Sequence, residues 1–99
     1  HKESSYRAIT YLLAVLSGSS AIAEHHGYKG RSDIEVSTGR YIYVFEFKYN
    51  RSVREAMDQI HEQDYAGRYA LDPRKVFLIA ANFTEDKDRR GLEYEILET

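Results

Sequence analysis

The sequence predicts an α/β fold, a mixed sheet flanked by helices in the order helix, strand, strand, strand, helix, strand, strand. Three observations predict it. Tyr41-Ile42-Tyr43-Val44-Phe45-Glu46-Phe47-Lys48 is rich in aromatic and β-branched residues, which suit a pleated strand. An amphipathic segment beginning at Ser52 has helical spacing. Lys75 to Ala81 is almost wholly apolar, as an interior strand reached by a helical crossover should be.

The elements follow in chain order. Glu3 to Leu16 reads as a helix, with Tyr6, Ile9, Leu13 and Leu16 on one stripe and Gly18 as a stop. Ser20 to His26 and Ser32 to Ser37 read as strands. In the second, Ile34 and Val36 share one face and Asp33 and Glu35 the other. Thr38-Gly39-Arg40 is a short hairpin loop into Tyr41–Lys48. Ile42, Val44, Glu46 and Lys48 share one face of that strand, and Tyr41, Tyr43, Phe45 and Phe47 the other. Both faces are mostly apolar, so this is expected to be a central strand covered on both sides.

Ser52-Val53-Arg54-Glu55 has capping-box spacing and opens a helix expected to run to about Tyr69. Val53, Ala56, Met57, Ile60 and Asp64 form its stripe, which turns polar towards the end. Lys75 to Ala81 should lie parallel to the central strand. Thr84 to Arg90 reads as a charged loop, and Leu92 to Leu97 as an edge strand.

The whole is expected to be one domain over residues 1–99, with room for one modest core. The chain opens directly in a helix pattern, which points to a piece of a longer protein. No apolar run approaches a membrane span, and the charged start argues against a signal peptide. The absence of cysteine excludes disulfides and thiolate metal sites, and fits a cytoplasmic setting. A net charge of -2 means that any nucleic-acid binding must rest on a local patch.

Function is expected where the central strand misfits its setting. Glu46 and Lys48 place a carboxylate and an ammonium on a face that a cheaper core would fill with Val or Ile. If the Thr38-Gly39 loop makes an antiparallel hairpin, Asp33 lies roughly opposite Glu46. Two carboxylates that close repel unless a positive charge sits between them. A hard divalent cation such as Mg2+ resolves this, with the backbone carbonyl of Phe47 as a further ligand. Lys48 would then orient or deprotonate an attacking water, or stabilise charge on a phosphorane-like centre. Such a constellation suits phosphodiester hydrolysis.

Gly30-Arg31-Ser32-Asp33, Tyr43-Val44-Phe45-Glu46-Phe47-Lys48, Ala56-Met57-Asp58-Gln59-Ile60 and Tyr65 together resemble the PD-(D/E)XK nuclease superfamily. More closely, they look like the nuclease-like domain that often follows an AAA-ATPase-like domain in bacterial proteins. Glu-x-Lys alone is a weak motif. Gly-Arg-x-Asp followed by Glu-Phe-Lys and then Gln-Ile in a helix is far more specific. The resemblance runs from about Glu3 to Phe83 and implies a restriction-endonuclease-like α-β-β-β-α-β core. It implies Asp33 and Glu46 as ligands of Mg2+ or Mn2+ and Lys48 as the catalytic lysine. It also implies Gln59 as a support for the site and Glu3 as an extra acid. Ser32 stands where the superfamily's name has Pro. No Gly-rich phosphate loop is present, so an ATPase-like domain would belong to a longer protein as a partner.

Structural readings stand beside these. Glu46 and Lys48 would make a strand-end ion pair worth about 0 to 1 kcal/mol at solvent. Asp33 would accept hydrogen bonds from the turn at Gly30, and Glu3 would favour the positive end of its helix. Adjacent His25 and His26 point to opposite faces of a strand, and with His61 they read as structural or exposed. Tyr41, Tyr43, Tyr49, Tyr65 and Tyr69 read mainly as core and rim. Lys29, Arg31, Arg40, Arg51 and Arg54 flank the proposed site and could meet phosphates.

The expected function is therefore a metal-dependent nuclease acting on nucleic acid, DNA ahead of RNA. A catalytically silent nuclease-fold module for nucleic-acid or protein binding is the alternative. A homodimer, paired at the Leu92–Leu97 edge, would supply surface that one small domain lacks.

Overall fold

The structure, a computed structural model, describes residues 10, 18, 20–23, 34–63 and 68–99. Among them five strands form one sheet in sequential order: β1 (Ser20–Ala23), β2 (Ile34–Ser37), β3 (Tyr41–Tyr49), β4 (Lys75–Glu85) and β5 (Arg90–Glu98). β1 and β2 are antiparallel, as are β2 and β3. β3 and β4 are parallel, and β4 and β5 are antiparallel. The mixed α/β sheet is thus the one expected, with Tyr41–Tyr49 at its centre. The first expected helix, apart from helical Thr10, lies outside the described residues, as does the Glu24–His26 end of the first strand.

The turn into β3 is built by Thr38. Its backbone N–H donates to the Tyr41 carbonyl at 2.8 Å. Its Oγ1 accepts from the backbone N–H groups of Arg40 and Tyr41, at 3.2 and 2.9 Å. This fixes the hairpin register, from Ser37 opposite Ile42 to Ile34 opposite Phe45.

The helix α1 (Val53–His61) makes the parallel crossover between β3 and β4. Ser52 is its N-cap, in an extended conformation, and its side chain accepts from the Glu55 N–H at 3.0 Å. Glu55 does not complete a reciprocal capping box; its carboxylate takes the Arg51 guanidinium Nε at 2.6 Å. The helix expected to run to about Tyr69 is interrupted, with α1 ending at His61. Glu62 and Gln63 form a turn and a bend, residues 64–67 lie outside the described residues, and Arg68 is helical again.

Ala56, Met57 and Ile60 of α1 pack on Ile42 and Val44 of β3 and on Val76, Leu78 and Ala80 of β4. Each large apolar side chain buried this way is worth about 1.5–3 kcal/mol. The other face of the sheet carries Ile34, Phe47 and Ala81, flanked by Phe45 and Phe83.

β4 runs to Glu85, so the expected loop begins later than Thr84. The alternation continues through buried Asn82 and half-buried Phe83, and these residues keep the ladder with β3 going as far as Tyr49 and Phe83. The loop is the tight turn 86–89, where the Asp86 carboxylate accepts from the backbone N–H groups of Asp88 and Arg89. β5 extends one residue beyond the expected strand at its far end and two at its near end. No helix among the described residues is long and apolar enough to cross a membrane.

Candidate active site

The end of β3 brings three of the sequence-derived residues together with α1. Glu46 and Lys48 lie on the face that α1 covers, because they continue the Ile42, Val44 alternation. Glu46 is 2% exposed. Its neighbour across the parallel ladder is Ala80. Lys48 is half-buried, and its Nζ donates to Gln59 Oε1 on α1 at 2.6 Å. Gln59 sits at the flank of the apolar stripe, one residue before Ile60, which is why it reaches the sheet rather than water.

Phe47 turns its side chain to the opposite face, where it is buried against Phe45 and Phe83. Only its backbone carbonyl is therefore relevant to the site. Asp33 and Glu3 lie outside the described residues. The ladder next to Asp33 is described: Ile34 pairs with Phe45, the residue before Glu46.

A cleft of about 370 Å³ opens beside Lys48 and Gln59, with Arg51, Glu55, Asp58, Glu62 and Gln63 around it. Among the described residues no three His, Asp or Glu side chains gather closely enough to hold a metal ion. Glu46 is the one described carboxylate of the expected ligand set.

Two asparagines that sequence reasoning missed hold this end of the sheet. Asn82 of β4 is fully buried and lies beside Lys48 in the ladder. Its Oδ1 accepts from the Arg51 backbone N–H at 3.0 Å, and its Nδ2 donates to the Arg51 carbonyl at 3.1 Å. The side chain thus replaces a strand for the segment between β3 and α1. Asn50 takes positive φ, a conformation Asn tolerates better than most residues. Its side chain bonds both the N–H and the carbonyl of Glu85, at 2.8 and 2.9 Å. The signal for Asn82 was present: a polar residue inside an apolar run whose alternation resumes at Phe83.

At the other end of the same face Glu35 is buried and not solvated. Its carboxylate meets the Arg68 guanidinium at 2.5 Å and the Tyr69 hydroxyl. Asp72 accepts from Arg74 through both carboxylate oxygens, at 3.0 and 2.8 Å, and Arg74 also donates to the Thr38 carbonyl. The Arg74 hydrogen bonds lower the Asp72 pKa from 3.8 to about 2.

The basic flank is largely committed to neighbours. Arg51 pairs with Glu55, and Arg54 with Asp58 at 3.3 Å. Arg40 is exposed, and Lys29 and Arg31 lie outside the described residues. Of the tyrosines, Tyr41 and Tyr43 pack with Phe77, Tyr49 donates to Glu85 and Tyr69 to Glu35. Tyr65, His25 and His26 lie outside the described residues, and His61 is exposed in the last turn of α1.

A mixed sheet whose central strand ends in Glu-x-Lys, crossed over by a helix that returns a glutamine to the lysine, defines a nuclease-type α/β core. The chain belongs to the PD-(D/E)XK nuclease superfamily, whose family model matches residues 1–93. No curated protein and no solved structure matches the chain.

Proposed function

We propose that the protein is a metal-dependent nuclease, with Glu46, Lys48 and Asp33 at its centre. The observation that carries this reading is the buried Glu46 beside a lysine whose amine is tied to Gln59. A simple strand-end ion pair would sit at solvent. Here the carboxylate is withdrawn from water, where an oxygen ligand meets a hard cation with little competition from solvent.

Glu46 fits a hard divalent cation as an oxygen ligand in a dry setting, with the Phe47 carbonyl adjacent. Asp33 is one residue before Ile34, as Glu46 is one residue after Phe45, so continuing the ladder by one step would oppose the two carboxylates. Mg2+ or Mn2+ bound there would supply Lewis-acid polarisation of the phosphodiester. Lys48 Nζ would donate a hydrogen bond to a phosphate oxygen or hold the attacking water in line. Gln59 Oε1 accepts a hydrogen bond from one Nζ–H and so fixes the direction of the others, making it a positioning residue. Glu3 would be an additional acid. The substrate class is nucleic acid, with DNA favoured; a cytoplasmic setting and a neighbouring ATPase-like domain remain part of the proposal.

A second reading is a catalytically silent module. It is favoured by the pairing of Arg51 and Arg54 with Glu55 and Asp58, which leaves little free positive charge beside the cleft. One experiment separates the two. Cleavage of single- and double-stranded DNA and RNA is measured with Mg2+ and Mn2+, alongside melting temperature in the same titrations. Cleavage that falls about 100-fold or more in Glu46→Gln and Lys48→Ala supports the nuclease. A melting temperature raised by metal in the wild type and not in Glu46→Gln places the cation at Glu46, independently of turnover. Nucleic-acid binding without cleavage, indifferent to chelator, supports the module.

A further inference from the structure

Among the described residues β5 is the last strand of the sheet, and all nine of its residues are exposed. Protein edges are normally guarded by a bulge, a proline or charged side chains, lysine above all. β5 has no bulge, proline or lysine, and its charges are Arg90, Glu93, Glu95 and Glu98. Its ladder with β4 runs without interruption from Arg90 opposite Glu85 to Glu98 opposite Phe77, and Arg90–Glu98 contains neither Lys nor Pro.

The hydrogen-bond phase of the ladder tells which backbone groups are free. Asp86 N–H donates to Arg89 C=O, and Thr99 N–H to Val76 C=O. Bonded pairs alternate in an antiparallel ladder. Arg89, Gly91, Glu93, Glu95, Leu97 and Thr99 therefore face β4. Arg90, Leu92, Tyr94, Ile96 and Glu98 turn their N–H and C=O groups outward. The side chains of Leu92, Tyr94 and Ile96 all project from one face, 53%, 63% and 53% exposed.

We propose that this edge pairs with the same edge of a second copy, antiparallel and centred on Tyr94, to make one continuous sheet. A two-fold axis through Tyr94 sets Leu92 against Ile96 of the other copy, and Arg90 against Glu98 at each end. All five outward residues then find bonded partners. Shifting the centre to Glu93 sets Glu93 against its own copy and Asp88 against Glu98. Shifting it to Glu95 sets Glu95 against its own copy and leaves Arg90 beyond the partner's Glu98. The Tyr94 centre alone among these keeps the whole strand and joins opposite charges. Within the chain, Arg90 contacts Glu85 and Glu98 contacts Lys75, which holds both side chains at the rim. Arg90 is 84% exposed and retains donors for a partner. Glu93 faces Glu95 of the other copy on the other side of the joined sheet, a like-charge pair on each side of the axis that costs the dimer part of this gain.

Sedimentation equilibrium of the chain, with Arg90→Glu, Glu98→Arg and the double reversal, tests this. Each single reversal puts like charges at both ends of the junction and is expected to weaken the dimer about tenfold, while the double reversal restores it. Unchanged circular dichroism in all three variants shows that the domain itself is intact. A wild-type chain that stays monomeric, its edge left to another segment or another protein, overturns the proposal. So does a dimer indifferent to the single reversals, or one not recovered by the double.

Discussion

Lys48 Nζ and Gln59 Oε1 meet at 2.6 Å, joining the end of the central strand to the crossover helix that follows it. The two residues are eleven apart in sequence, and the cap at Ser52 sets the helical phase that brings them together. A strand-end lysine is normally free to move; this one is held in a defined direction by a neutral acceptor.

If Gln59 only positions Lys48, its loss should be milder than the loss of Lys48 itself. Gln59→Ala is expected to reduce cleavage about 10- to 100-fold, as removal of a supporting partner typically does. Gln59→Glu keeps an acceptor and should recover part of the rate. A helix surface residue without a role would leave both kcat and its pH profile unmoved in either variant.

Asn82 should matter for stability and for the site together. Asn82→Ala strips partners from the N–H and C=O of Arg51, and leaving such groups unsatisfied costs about 1–3 kcal/mol each where water cannot replace the bond. Urea denaturation should show the loss. Because the freed segment joins Lys48 to α1, cleavage should also fall at denaturant concentrations where the protein remains folded. Full stability in the variant would contradict the assignment.

Asp72 gives a pH dependence whose sign is fixed. Its folded pKa, near 2, lies below the ordinary 3.8, so folding favours the ionised form. The stabilisation is present above about pH 3.8 and disappears as the pH falls through 2. Asp72→Asn should therefore melt below the wild type at neutral pH, with the gap closing below pH 3.8. A gap that is constant from pH 7 to pH 2 would show that the Arg74 contact does not depend on the charge.

The sequence by itself determined the strand order's raw material: alternation in Tyr41–Tyr49, the Ser52 cap, the apolar run from Lys75, and the edge character of Leu92–Leu97. It also marked Glu46 and Lys48, because charged groups on an otherwise apolar face are costly and so stand out. Asp33 was legible from the expected hairpin register as well as from the motif, and Gln59 and Glu3 only as motif positions. Tertiary structure alone decided what each polar group meets. Nothing local in Asn82 or Glu35 announces a partner; Asn82 needs the Arg51 backbone delivered by the parallel ladder, and Glu35 needs Arg68 and Tyr69 returned from beyond the helix. Periodicity is a property of neighbours in sequence and can be read from it. Satisfying a buried hydrogen bond depends on residues more than thirty positions away, and only the packed chain selects them.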